Sequence, residues 1–143
     1  MGDLDTAKSK LWNIELTLAI VKNGEVLFET DSHSISGFLD AIERFGDALE
    51  GASLADRVAG KAIALLCVHA KMKAVYAVIL SKKAQTVLEE NGIYHEWEHL
   101  VENILDTNKK GMCPFEKLAE QISNPKDAYK TLKALQSSSK RCR

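Results

Sequence analysis

The stretch ADRVAGKAIALLC, residues 55–67, decides how this chain is read, because three charges in seven residues run straight into six residues without polar relief. Taken at helical spacing, it predicts a central helix from about Leu54 to Ala70. At about 100° per residue, Arg57 and Lys61 then share a stripe with Ala64 and Val68, while Asp56 joins Ala59, Gly60, Ile63 and Cys67. Two like charges at i, i+4 cost a few tenths of a kcal/mol (~0.3) on an exposed helix, whereas an unpaired cation in the interior costs several (~3–5). The charged end of this helix therefore has to open on water, an acidic partner or a bound anion. A local account competes: Ser53-Leu-Ala-Asp56 fits a capping box, with Asp56 complementing the helix dipole and Arg57 solvated. Capping accounts for Asp56 but not for Lys61.

Outward from this stretch the period of the apolar residues changes several times. Leu4, Ala7 and Leu11 recur at helical spacing after a cap at Asp3. Glu15 to Lys22 alternates Leu16, Leu18 and Ile20 with the milder Thr17, Ala19 and Val21, the pattern of an inner strand covered on both faces. Asn23-Gly24 follows, a two-residue type I′ turn signal, and Glu25 to Thr30 returns as the antiparallel partner. Ile35, Phe38, Leu39, Ile42 and Phe45 form one helical stripe that stops near Gly46. Beyond the central helix come a β-branched run from Ala74 to Leu80, a helix from Lys82 to Glu90 ended by Asn91-Gly92, and a short strand near Ile93 to Glu96. Pro114 and Pro125 mark two further helix starts, the second capped by Asn124. The order is a leading hairpin and then β-α-β-α-β. This predicts one three-layer α/β/α sandwich over residues 1–136 with a mixed sheet, and a flexible basic tail over 137–143.

Composition narrows the function. With 143 residues, 19 basic and 20 acidic side chains and a net charge of −1, the chain is large enough for a core and has no bulk charge suited to nucleic acid or an acidic membrane. Cys67, Cys113 and Cys142 are odd in number and lack framework spacing, and MGDLDTAKSK has no apolar segment after its charges, so a reducing cytoplasmic location is expected. The uncharged run from Ala62 to Ala70 is about half the length a membrane span needs.

Three motifs, ADRVAGKAIA at 55–64, Ser81-Lys82-Lys83-Ala84 at a strand-to-helix junction, and Gly111-Met-Cys-Pro-Phe-Glu116, resemble an uncharacterised prokaryotic family, domain of unknown function eighteen-ninety-three. The resemblance spans almost the whole chain. It implies a cytidine-deaminase-like fold. In a zinc deaminase, His-x-Glu or Cys-x-Glu opens the second core helix and Pro-Cys-x-x-Cys the third, the metal activating water and the Glu moving protons. Those places read here as Ala55-Asp56-Arg57 and Ser81-Lys82-Lys83-Ala84, without a zinc ligand, so neither a metal nor another cofactor is expected.

Two other motifs carry potential chemistry. His95-Glu-Trp-Glu-His99 matches the H-E-x-x-H zinc pattern, but it follows Asn91-Gly92 in strand-like alternation, where side chains at i and i+4 lie more than about ten ångströms apart. Cys113 precedes Pro114 in the position of an N-cap, with Glu116 at N3. A thiol at a helix start is a candidate nucleophile, and equally a structural cap. Cys67, mid-helix among apolar residues, reads as core.

Two functions follow. In the first, the carboxyl edge of the sheet binds a small anionic ligand, nucleotide-like given the implied fold, through Arg57, Lys61, Ser81, Lys82 and Glu116. In the second, the same pocket performs metal-free catalysis with Asp56 as acid or base, Lys61 as electrophile or nucleophile, and Cys113 nearby. The pattern leaves a homodimer open as the only macromolecular partner.

Overall fold

The computed structural model describes residues 2–13, 16–104 and 114–138. Its elements run α1 (Gly2–Asn13), β1 (Leu18–Lys22), β2 (Glu25–Thr30), α2 (Ser34–Phe45), a short 3-10 turn (Gly46–Leu49), β3 (Ser53–Ala59), α3 (Lys61–Ala70), β4 (Ala74–Ser81), α4 (Lys82–Glu90), β5 (Tyr94–Val101), α5 (Pro114–Ala119) and α6 (Pro125–Ser138). No helix among the described residues is long and apolar enough to cross a membrane.

The five strands form one mixed sheet in the order β2-β1-β3-β4-β5. β1 pairs antiparallel with both β2 and β3, and β3, β4 and β5 are parallel. The hairpin turn is built as its sequence requires, with positive φ at both Asn23 (53°) and Gly24 (80°). Asp3, expected to cap α1, instead accepts hydrogen bonds from the backbone N–H groups of Asn23 and Gly24 at 2.9 Å each, pinning the first helix to that turn.

α1 covers one face of the sheet, where Leu4, Ala7 and Leu11 pack on Val21, Ala55, Ala74 and Tyr76. The remaining helices cover the other, with Phe38, Leu39, Ile63 and Leu66 set over Leu18, Ile20 and Leu54, and Ala128 and Leu132 of α6 closing the layer. This is the three-layer sandwich that the apolar pattern predicts. Cys67 is fully buried within it.

β5 runs to Val101, beyond the Ile93 to Glu96 expected, and the expectation for the opening stretch fails outright. Residues 53–59 are not the first turns of a helix; they form β3, and the helix begins only at Lys61. Leu54, Ala55 and Arg57 are good helix formers, but intrinsic propensity is weak against a position between two strands. β3 lies between β1 and β4 and its backbone is hydrogen-bonded to both. Gly60, in extended conformation, is the boundary, and a glycine inside an apparent helix was the local sign of it. The proposed capping box disappears with the helix: Ser53 is a buried strand residue.

Candidate functional site

A strand turns alternate residues to opposite faces, so Asp56 and Arg57 part company. Arg57 faces α1. Its guanidinium donates to the carbonyl of Leu11 at 2.6 Å and to that of Leu16, tying the end of the helix to β3. Asp56 points into the layer of α2 and α3 and is fully buried.

Around Asp56 lies a polar cluster at the start of α2. Ser34 Oγ donates to Asp56 Oδ1 at 2.6 Å and the backbone N–H of Val58 donates to the same oxygen at 3.2 Å. Oδ2 has no hydrogen-bond partner among the described residues, and the same is true of the buried His33 Nδ1 and Ser36 Oγ. Burial pushes the Asp56 carboxyl up to about 7, against the opposing pull of its hydrogen bonds from Ser34 and the backbone of Val58 and Arg57. Burial also lowers the pKa of His33, whose ring stacks on Phe115 at 5.7 Å. Residues 33–36 were not singled out from sequence; the one available signal was a polar His-Ser-x-Ser run just ahead of the Ile35 stripe.

Glu116 occupies the start of α3. Its Oε2 accepts from the N–H of Lys61 at 2.9 Å and its Oε1 from that of Ala62 at 2.8 Å. The carboxyl is buried, which raises its pKa, while these two bonds lower it. The helix N-terminal donors that a ligand anion would use are thus engaged by a carboxylate of the chain itself.

Lys61 leads away from this cluster. Its ammonium donates to the carbonyl of Glu120 at 3.3 Å and lies in a groove of about 410 Å³ between α3, α4 and the α5–α6 connection. Lys83, which pairs with the carboxylate of Glu120, stands on the same groove, and Leu65 and Val87 supply apolar walls with Thr86 and Ser123. Ser81 is buried and caps α4, accepting from the N–H of Ala84 at 3.1 Å. Lys82 is exposed and pairs with Glu102 at 2.7 Å. The expected site residues are therefore distributed: Asp56 in the buried cluster, Glu116 at the helix start, Lys61 in the groove, Ser81 in a cap, Lys82 on the surface and Arg57 on the opposite face. Cys113 lies outside the described residues.

The zinc that a deaminase-like fold implies does not fit these residues. The second core helix opens with Gly60-Lys61-Ala62 and the third follows Ser81 with Lys82-Lys83-Ala84, so neither start offers an imidazole or a thiolate. His95 and His99 lie in β5, where the zinc reading of H-E-x-x-H has no geometry. Among the described residues no group of three or more His, Cys, Asp or Glu side chains is placed to hold a metal ion.

Comparison with known proteins agrees with this architecture. A DUF1893 family protein from Thermotoga maritima, TM1506, superposes with a TM-score of 0.84 and 26% identity, over 92% of this chain and 88% of that one. The dCMP deaminase of cyanophage S-TIM5 matches with a TM-score of 0.48, at 19% identity in its apo form and 17% in its complex with dCMP and dUMP, over 66% of this chain and 93% and 92% of those chains. No curated protein matches. The model of the domain of unknown function DUF1893 matches residues 6–135, and the chain belongs to that family.

Proposed function

We propose that the protein binds a small anionic, nucleotide-like ligand in the groove between α3, α4 and the α5–α6 connection, with Lys61 and Lys83 as its charge partners. The observation that carries this reading is that both lysines line one concavity of about 410 Å³ with an apolar wall at Leu65 and Val87, Glu90 and Glu120 being its acidic members. That size and mixture suit a small molecule, with the cations fixing its orientation. Both cations rest on Glu120, one on its carbonyl and one on its carboxylate, so a ligand would displace weak, partly solvated contacts rather than a buried pair.

A thermal-shift and calorimetric screen of nucleotides, nucleosides and inorganic phosphate tests the proposal. Binding by the wild type that falls at least about tenfold in Lys61→Ala/Lys83→Ala supports it. No binding, or equal binding by the double variant, overturns it.

A second reading rests on Asp56. A fully buried carboxyl with one unpartnered oxygen and a pKa near 7 is equipped to hold or release a proton, as an acid-base group must. On this reading the protein is a metal-free enzyme with Asp56 as its acid-base group and Ser34 bonded to it, while Lys61 opens into the separate groove. Mass spectrometry of the same compounds after incubation separates the readings: a mass change abolished by Asp56→Asn favours catalysis, and unchanged ligands favour binding alone.

A further inference from the structure

β5 and β2 are the two edges of the sheet, and they are protected very differently. β2 is six residues long, carries Glu25 and Glu29, and its pairing with β1 is interrupted by an irregularity at Ile20/Val21. β5 runs eight residues, Tyr-His-Glu-Trp-Glu-His-Leu-Val, in unbroken register against β4, with no Lys, Arg, Pro or Gly. Of the devices that ordinarily keep strands from adding another chain, such an edge has neither Lys, Pro nor an irregularity; its charges are Glu96 and Glu98, both already bonded within the protomer on the α1 face. It also carries exposed apolar surface: Tyr94 is 49%, Trp97 39% and Leu100 37% accessible, and Trp12 of α1, on the face of Tyr94 and Leu100, is 69% accessible.

Its sequence identifies the partner. His95-Glu96-Trp97-Glu98-His99 reads the same in both directions, and the apolar Tyr94 and Leu100 extend the symmetry by one place on each side. Antiparallel strands run in opposite directions, so a palindromic strand meets its own copy like for like, and a twofold axis normal to the sheet keeps every matched pair on one face.

We propose that β5 is the surface through which a second copy of this chain adds to the sheet, antiparallel, with the twofold axis at Trp97. On the face away from α1, Trp97 meets the same residue of the second copy and His95 meets its His99. On the α1 face, Tyr94 meets its Leu100. Aromatic and apolar cross-strand pairs of this kind are the favourable unit of sheet pairing. The opposing term is carboxylate repulsion in the two symmetry-related pairs of Glu96 with Glu98 of the other copy, and each protomer already supplies a donor to both residues. Lys8 Nζ binds Glu96 at 2.9 Å and the Tyr76 hydroxyl donates to Glu98 at 3.0 Å. Added salt screens what repulsion is left and tightens the dimer.

Sedimentation equilibrium of the full chain at two salt concentrations, with variants that each add one cysteine, tests the arrangement. Residues facing each other on the axis have Cα atoms about 5 Å apart, within reach of a disulfide. Trp97→Cys should link to its own copy under mild oxidation well beyond the wild-type background from Cys67, Cys113 and Cys142. Tyr94→Cys should not, because in this register two such residues lie about 20 Å apart. Trp97→Glu, at an exposed position that leaves the core intact, should sediment as monomer with an unchanged circular dichroism spectrum. A monomeric wild type, a dimer indifferent to Trp97→Glu, or linkage through residue 94 as readily as through 97 overturns the proposal.

Discussion

The carboxyl group of Glu116 stands where a side chain on Gly60 would have to be: a Cβ built there would lie 2.3 Å from the carboxyl carbon and 2.4 and 2.5 Å from its oxygens. The same carboxylate satisfies the first two backbone donors of α3, so the β3–α3 junction and α5 are locked together by one contact. Gly60→Ala should therefore displace Glu116 and destabilise the fold by about 1–3 kcal/mol, the ordinary cost of overpacking. Glu116→Ala, which leaves those two donors without their carboxylate, should cost about 2 kcal/mol or more. The coupling is the sharper expectation. In Gly60→Ala/Glu116→Ala the three atoms nearest the added methyl are gone, so chemical denaturation should show the double variant clearly more stable than the sum of the single losses. Strict additivity would mean that the two residues do not share this space.

Arg57 is the strap between α1 and the sheet. Its fork reaches two carbonyls, of Leu11 and Leu16, a geometry that a single ammonium group reproduces poorly. Arg57→Lys should cost about 1–2 kcal/mol and loosen the helix specifically. Amide hydrogen exchange reads this directly: protection should fall across α1 and stay unchanged in α3 and β4. A uniform loss over the whole chain would contradict the local role.

Ser81 offers a cleaner test of what a residue at the strand edge is for. Its hydroxyl accepts from the N–H of Ala84 and is buried, so Ser81→Ala should lower stability by about 1 kcal/mol, as loss of an N-cap does. Ser81→Asp, which keeps an acceptor, should recover part of that loss if the cap has room for it. Thermal denaturation of the two variants checks the order, and their binding of groove ligands should match the wild type.

How far the chain could be read in advance follows from where the information lies. The Asn23-Gly24 turn, the Ile35 to Phe45 stripe and the Lys82 to Glu90 helix depend on local chemistry, and each was legible. β3 was not, because residues 53–59 are held as a strand by β1 and β4, partners far away in sequence. That single error propagated to the site. Reading helix for strand put Arg57 and Lys61 on one face, whereas the first secures α1 and the second opens into the groove. Asp56 could be named as a candidate acid or base, but the supposed capping box gave it an ordinary explanation that disappears once residues 53–59 form β3. The partner of Asp56, Ser34, could not be named, because only folding brings α2 onto β3. Glu116 could be recognised as a helix-start acid, but the helix it serves is α3 as well as its own, a contact across 55 residues of sequence.

Asp56 makes the stability of the whole domain depend on pH in a direction opposite to that of a paired carboxylate. Its carboxyl ionises near 3.8 when unfolded and at about 7 when folded, because burial without a countercharge disfavours the anion. Between these values the folded chain holds a proton that the unfolded chain has released. Stability is therefore highest at the acid end of this window, falls as pH rises from about 4 to 7, and levels off above, where the full cost, on the order of 4 kcal/mol, is present. Glu116, also raised by burial, adds a contribution of the same sign. His33 works the other way: burial keeps it neutral, so its contribution is lost as pH falls below about 6.5. Asp56→Asn isolates the first effect, since the amide oxygen still accepts from Ser34 and Val58 while the titration is gone. Urea denaturation at pH 5 and pH 8 should show the wild type losing substantially more stability than Asp56→Asn across this interval. Parallel losses in the two proteins would mean that Asp56 is ionised throughout, which leaves it able to act as a base but not as the acid of the catalytic reading.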